Sequence, residues 1–412
     1  MKKILFGILL VLFVSSSYAQ LVQWRGPNRD GHFPETGLLK EWPENGPEIL
    51  LEAEDIGKGW SSPILVGDMI YVTGMIDTLD YLTAMDLKGN VKWQVSYGRA
   101  WNQSFPDTRS TPVVEDERIY VQSGTGRVVC LNRDTGKEIW AVDVDDEFET
   151  EYGTWGNSET PLIVDDKIIS TPAGPKTSVV ALDKMTGEPV WQTESLGGPR
   201  AYASATIYEY NDFRYILAMI GTHLLAIHPE TGELAWHYKY LDPEKWDREG
   251  LIWANTPIFK EDEIFLSMGY DYHAVMLKMD STGTSVSEKF IDRTLDNHHH
   301  GVVIYEDHIY GSNWYDNRRG RWVCMVWDTG EIKYVDDWDT KGVLIMADGM
   351  FYAYNERGTV GLVKPGPSGF EVVSEFRITK GSGPHWAHPF ISDGKLLLRH
   401  GEVLMVFDIK ED

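Results

Sequence analysis

One unit of sequence recurs along this chain, and the recurrence limits the fold more than any other feature. It is plain in "STPVVEDERIYVQSGTGRVVCLNRDTGKEIW" (Ser110–Trp140) and "ETPLIVDDKIISTPAGPKTSVVALDKMTGEPVW" (Glu159–Trp191). Each copy opens on small residues and Pro, runs apolar, turns on acidic residues, then runs apolar twice more around a loop. It closes on Thr-Gly-x-x-x-Trp. The closing element returns as "LKGNVKW", "RDTGKEIW", "KMTGEPVW" and "PETGELAW", ending at Trp93, Trp140, Trp191 and Trp236. The successive intervals of 47, 51 and 45 residues are those of four-stranded propeller blades.

The acidic turn between the first two runs counts the blades. It falls around Asp68, Asp116, Asp166, Asp212, Asp262, Asp307, Asp348 and Asp393, eight times. Five- or six-residue runs of Val, Ile, Leu, Tyr and Phe between turn residues read as strands by length and β-branching. Thr-Gly and Asp-Gly at the turns supply the positive φ that tight hairpins need. The last repeat, "HPFISDGKLLLRHGEVLMVFDIKED", has three strands, while "PEILLEAE" (Pro47–Glu54) precedes the first blade without a partner. It aligns with "GEPVWQTE" (Gly187–Glu194), Leu51 standing where Trp191 stands. The expected fold is therefore all-β: an eight-bladed β-propeller whose N-terminal strand completes the last blade and removes an open sheet edge.

The first residues, MKKILFGILLVLFVSSSYAQ, pair two lysines with a short apolar run and a small-x-small site. They read as a signal peptide over 1–19, cleaved near Ala19, so the protein is expected to be periplasmic or secreted. An arm over 20–46 and the propeller over 47–412 follow. No later stretch reaches the ~18 apolar residues of a membrane span. The formal charge is −25, and removing Lys2 and Lys3 takes it to −27. So acidic a surface repels phosphate backbones and excludes nucleic acid as a partner. Hydrophobic residues at 42% and sixteen Trp suffice for a large core.

Cys130 and Cys324 each lie six residues before their blade's Gly, at Gly136 and Gly330. Equivalent positions in blades two and six face each other across the ring, well beyond the ~7 Å Cα limit of a disulfide. Both are expected to be buried free thiols.

The pattern in "ALDKMTGEPVW" resembles the pyrroloquinoline quinone-type repeat of the quinoprotein-like propellers. The arm, "QWRGPNRDGHFPETGLLKEWPENGP", is similar to the leader of exported bacterial members of that group. The resemblance covers about residues 21–412 and is most specific in blades one to four. It implies that Trp93, Trp140, Trp191 and Trp236 wedge between neighbouring blades. It also implies two kinds of relative: quinone-dependent alcohol and sugar dehydrogenases, and non-catalytic propellers such as the outer-membrane assembly lipoprotein. The dehydrogenases press the quinone between a Trp and a disulfide of adjacent cysteines. This chain has neither adjacent cysteines nor a Cys-x-x-Cys-His haem site, so the quinone is not the expected cofactor, and a quinone- or metal-dependent oxidoreductase stands as an alternative behind ligand binding and the scaffold. Repeats imply fold; chemistry has to be argued from the site.

In a propeller the loops leading into each first strand gather at one mouth of the channel. Here they carry Trp60, Arg109, Trp155, Glu159, Tyr202, Trp253, Asn255, His298, His299, His300, Lys341, His385, Trp386 and His388. The loops after the second strands add "GYDYHA" with Tyr270 and His273, "NWYDNRRGR" with Arg318 and Arg319, and "NERG". Six of twelve histidines thus collect on one rim, on blades five, six and eight. Three readings compete. A divalent metal could use His273, one or two of the 298–300 triplet, and His385 or His388, the chosen set being His273, His299 and His388; strand alternation allows at most two of the triplet on one ion. A small polar, carbohydrate-derived ligand would suit Trp60, Arg109, Glu159, Tyr202, Trp253, Asn255, His273, His299, His300, Arg318, His385, Trp386 and His388, aromatic faces stacking while polar groups bond hydroxyls. A His or Tyr base beside Arg109, Arg318 or Arg319 would then give a lyase-like reaction, but no catalytic residue is assigned. Third, the rim caps the channel and the propeller is a protein-binding platform. The arm residues Trp24, Arg25 and Trp42 are expected to pack over the propeller.

Overall fold

In the computed structural model, which describes residues 21–240 and 253–411, all eight acidic turns are two-residue hairpin loops. The first loop residue has positive φ in every case, from Asp348 at 48° to Gly67 at 57°. That backbone twist matches the right-handed twist of the flanking strands. The described residues form eight four-stranded antiparallel blades. Blade one is Ile64–Val66, Met69–Ile76, Leu79–Asp86 and Val91–Arg99. Blade eight takes three strands from the C-terminal end, Phe390–Ser392, Lys395–His400 and Val403–Asp408, and its outermost strand, Glu48–Ala53, from the N-terminal side. The ring closes as the sequence implied. The export signal expected at residues 1–19 lies outside the described residues. Among these residues no helix is long and apolar enough to cross a membrane.

The Thr-Gly-x-x-x-Trp motif has a packing cause. Each Trp pairs across its blade with a third-strand residue, Trp140 with Cys130 and Trp191 with Ala181, and a β-bulge follows at once. The indole then lies on the next blade's Gly turn. Trp93 Nε1 donates to the Arg133 carbonyl, Trp140 Nε1 to Lys184 and Trp191 Nε1 to Pro229. A Cβ on Gly136 or Gly187 would sit 2.6 or 2.7 Å from that ring, so the motif's Gly is dictated by its neighbour's Trp. At the closure Leu51 takes the Trp position and meets Gly89 of blade one. In blade five Phe290 does the same against Gly330, which is why the Trp signal fades there while the wedge persists. Cys130 and Cys324 are free and buried, as expected.

The arm does more than cover the propeller. Leu21–Val22 adds an innermost fifth strand to blade two, and His32–Phe33 adds one, in parallel, to blade seven. Between them the chain crosses the channel and drives two guanidiniums into its wall. Arg25 donates to the carbonyls of His300 (3.2 Å) and Val302 (2.7 Å) in blade six. Arg29 donates to Thr160 (3.2 Å) and Pro161 at the start of blade three, and to Ala205 (3.0 Å) in blade four. Trp42 packs on Tyr352 and Phe376 of blade seven.

Each Arg29 bond is charge-assisted and fully buried, and removing the donor strands three carbonyls away from water. Arg29→Met, close in length and without donors, is expected to cost roughly 3 kcal/mol. A lowered urea midpoint with unchanged far-UV circular dichroism would show it; an unchanged midpoint would mean that the arm merely rests in the channel.

Candidate functional site

At the channel mouth opposite the hairpin turns lies a cavity of about 350 Å³. All eight blades reach it: Trp60, Arg109, Trp155, Tyr202, Ala254, His298, His299, Trp386 and His388 from loops leading into first strands, with Tyr270, Asn317 and Glu356 from loops after second strands. The walls are aromatic. Trp60 and Trp386 meet edge to face at 4.9 Å, Trp155 and Tyr202 at 5.4 Å, and the Arg109 guanidinium lies over Trp60 at 4.9 Å. The remaining wall is the arm. Trp24, expected to pack away from any ligand, lines the cavity with its ring 5.1 Å from His388, because the arm runs inside the channel.

The histidine triplet is held by its backbone. The Asn255 amide nitrogen donates to the carbonyls of Asn297 (2.6 Å) and His298 (3.1 Å), and its oxygen accepts from Gly301 N–H. His388 Nε2 faces the His299 carbonyl at 3.3 Å, and Arg25 takes the His300 carbonyl. Gly301, at φ 72°, makes the turn possible; a Cβ there would lie 2.2 Å from the Arg25 guanidinium. So clamped, the three rings pack at tilted angles, with centroids 4.3 Å apart from His298 to His299 and 4.1 Å from His299 to His300.

Their common partner is Glu356. Its Oε1 lies 3.2 Å from His300 Nε2 and 3.7 Å from His299 Nε2, and it accepts from Trp386 Nε1 at 3.0 Å. Its Oε2 pairs with Lys341 Nζ at 3.0 Å, a fully buried lysine that also donates to the Asp316 carbonyl. Burial holds all three imidazoles below the ordinary histidine range; neighbouring rings add to this for His298 and His299 and Lys341 for all three, while Glu356 opposes it for His299 and His300. Burial would raise Glu356, but the hydrogen bond and charge of His300, then the charges of His299 and Lys341, reverse this and bring it to about 2. The floor is therefore neutral imidazole beside a carboxylate already paired with a lysine.

Of the residues singled out from sequence, Trp60, Arg109, Trp155, Tyr202, Tyr270, His298, His299, Trp386 and His388 line the cavity, and His300 is buried against His299. The others serve elsewhere. Glu159 is buried with both oxygens accepting from Thr171. Trp253 packs on Tyr240 at 4.4 Å, Asn255 clamps the triplet, and His385 stacks on His400 at 3.6 Å while its Nδ1 contacts the Tyr354 hydroxyl. Arg318 is exposed and does not line the cavity. The chosen metal set of His273, His299 and His388 is not brought together. His388 spends Nε2 on a backbone carbonyl, and His273 does not line the cavity. Among the described residues, the group whose ligand atoms fall within 4.8 Å of one another is His299, His300 and Glu356. Glu356 was on the predicted rim through "NERG" but was not chosen as a ligand residue, because that loop reads as any solvated turn. The available clue was Lys341, a lysine in the otherwise apolar opening "TKGVLIM", which needed an anion once buried.

The quinone implied by the repeat does not fit this mouth. Its two cysteines are separate buried thiols in different blades, so no disulfide can form one face of a sandwich. A tricarboxylate would also bring three negative charges to a mouth whose lining offers one cation, Arg109.

Blade count, wedge motif and ring closure together define a propeller of the pyrroloquinoline quinone-type repeat class. More narrowly, the family described as outer membrane protein assembly factor BamB matches residues 79–335, over half of the chain, and the chain belongs to that family. The BamB of Alkalilimnicola ehrlichii is 26% identical over 181 residues, 43% of this chain and 42% of that protein. Quinohemoprotein alcohol dehydrogenase ADH IIB of Pseudomonas putida is 25% identical over 157 residues, 35% of this chain and 22% of that protein. The matches thus span less than half the length of these two curated relatives. Among solved structures, BamB of Moraxella catarrhalis superposes with a TM-score of 0.61 at 15% identity, covering 88% of this chain and 99% of that one. A europium-containing methanol dehydrogenase gives 0.68 at 14%, covering 92% and 90%. At such identities these likenesses show the fold alone.

The depressed imidazoles set a pH dependence. His388, held well below the usual range by burial and then by Arg25, stays neutral in the folded protein while the unfolded chain takes up a proton below about pH 6.5. Folding stability attached to it is therefore lost as pH falls, by up to about 1.4 kcal/mol per pH unit. Asp296, raised by burial to about 8, works in the opposite direction, so a variant isolates the effect better than the whole protein. His388→Gln, whose amide can still donate to the His299 carbonyl, is expected to lose less stability than the parent between pH 6.5 and 5 in urea melts. Parallel curves would mean that His388 titrates normally.

Proposed function

We propose that the protein is an exported propeller that binds a small polar, carbohydrate-derived ligand in the channel mouth. On this reading residues 1–19 are a cleaved signal, 20–46 an arm that builds one wall of the site, and 47–412 the propeller. The observation that carries it is the juxtaposition at the floor: the Trp60–Trp386 pair offers apolar ring edges and faces directly beside Glu356 and His299. A pyranose presents the same pairing, C–H faces for aromatic rings and hydroxyls for a carboxylate and imidazoles. Thr111, Ser158 and Thr160 add hydroxyl partners on the opposite side. Glu356 sets the polarity. It favours hydroxyl donors at the floor and leaves Arg109, at the Trp60 side, as the place for any sugar carboxylate.

A second reading, a protein-interaction scaffold, draws on the BamB family match and on apolar residues exposed on neighbouring outer strands: Ile49 and Leu50 of blade eight, Val91 of blade one, Ile139 of blade two and Val190 of blade three. One experiment weighs both. Isothermal titration with glucose, galactose, glucuronate and galacturonate is expected to find at least one ligand. Trp386→Ala should then weaken that ligand about tenfold or more, near 1.4 kcal/mol. A flat response across the panel favours the scaffold.

A further inference from the structure

We propose that His299, His300 and Glu356 bind one divalent transition-metal ion at the floor of the cavity, leaving a coordination position open to the pocket. Ligands about 2.1 Å from an ion at a tetrahedral angle lie roughly 3.4 Å apart. The two imidazole nitrogens stand 3.2 and 3.7 Å from Glu356 Oε1, so an ion fits with small side-chain adjustments rather than a loop rearrangement. Spacing alone would also suit a hydrogen-bonded cluster, but the pattern of partners goes further. His299 Nε2 is buried, lies 3.7 Å from Glu356 Oε1 on a residue that lines the pocket, and has no hydrogen-bond partner among the described residues. A buried nitrogen without a partner costs about 1–3 kcal/mol, and of the unpaired imidazole nitrogens in this cluster it is the one facing a carboxylate, where an ion would remove that cost.

The surroundings leave the right atoms available. Lys341 occupies Glu356 Oε2, while Oε1 accepts from Trp386 Nε1 and keeps its other lone pair for monodentate ligation. Asn255, His388 and Arg25 hold the three triplet carbonyls, which aims the rings without using the nitrogens an ion needs. No hydrogen bond of the His300 ring other than that to Glu356 is in place, and ligation through Nε2 puts its proton on Nδ1. Two imidazoles and one carboxylate suit Zn²⁺, Mn²⁺, Co²⁺ or Fe²⁺, whereas Ca²⁺ would want an all-oxygen shell. The open position faces Trp60 and Trp386, where a ligand hydroxyl would complete the shell. This inference shares the cavity of the proposed function but not its sugar: the ion binds in the absence of carbohydrate, so either can fail alone.

The test uses full-length protein purified without a His tag and stripped with chelator. Titration with Zn²⁺ by calorimetry and with Co²⁺ by visible d–d absorption is expected to give one ion per chain. His299→Ala and Glu356→Gln should each weaken binding about 100-fold, while His237→Gln, on the exposed outer face of blade four, leaves it unchanged. Thermal melts confirm folding, and because Glu356→Gln strands Lys341, His299→Ala decides if that variant fails to fold. Absence of stoichiometric binding, or binding that His299→Ala leaves intact, overturns the proposal.

Discussion

Two buried guanidiniums hold the middle of this protein. Eight inner strands start side by side around a narrow axis, and their first carbonyls point where no neighbouring strand can reach. Water would satisfy them in an open channel. Here the arm does so, with Arg25 and Arg29 together serving carbonyls of blades three, four and six. An arginine suits this because its several donors spread over a planar fork and cannot be neutralised by deprotonation at ordinary pH, even though burial lowers Arg25 to about 10 and Arg29 to about 9. The same crossing places Trp24 in the cavity wall and pins the His300 carbonyl, so the site depends on the plug.

Ring closure and site formation rest on different kinds of information, and the sequence was legible to different depths in each. Hairpin chemistry is local: an acidic residue, Asn or Gly at positive φ between two apolar runs announces itself eight times. The wedge is nearly local, since the Trp and the Gly it rests on recur together in successive repeats. Even the exceptions could be followed, with Leu51 against Gly89 at the closure identified by alignment of chain ends. Phe290 against Gly330 was less visible, because a Phe in an outer strand does not stand out from other apolar strand residues once the recurring Trp is gone.

The site lacked such redundancy. The rim was predicted from loop positions, and nine residues named on it do line the cavity. Position in a loop, however, does not say whether a side chain turns inward or braces its neighbours. Asn255 sits on the rim and bonds backbone; Glu159 sits on the rim and accepts from Thr171. Glu356 is the opposite case, an ordinary-looking turn residue that becomes the hub because Lys341 is buried beside it. A buried lysine without a carboxylate would lose several kcal/mol, so the pair had to exist; which of the many acidic residues supplied it could not be read from one sequence.

The charge arrangement at the floor bears on what the mouth can accept. The chain as a whole carries −25, and a surface that acidic raises the local concentration of cations and slows the approach of anions. Inside the cavity the balance differs: Lys341 neutralises Glu356, the imidazoles stay uncharged, and Arg109 places one cation against the Trp60 face. A neutral polyol meets no electrostatic barrier and finds hydroxyl partners. A divalent cation is drawn in by the outer field and meets unprotonated nitrogen donors at the end of its path. A dianionic or trianionic ligand is opposed by the acidic surface and finds Arg109 as the cation lining the cavity, one charge against two or three. The same charge pattern that makes a quinone tricarboxylate a poor occupant therefore suits the two occupants proposed for this mouth.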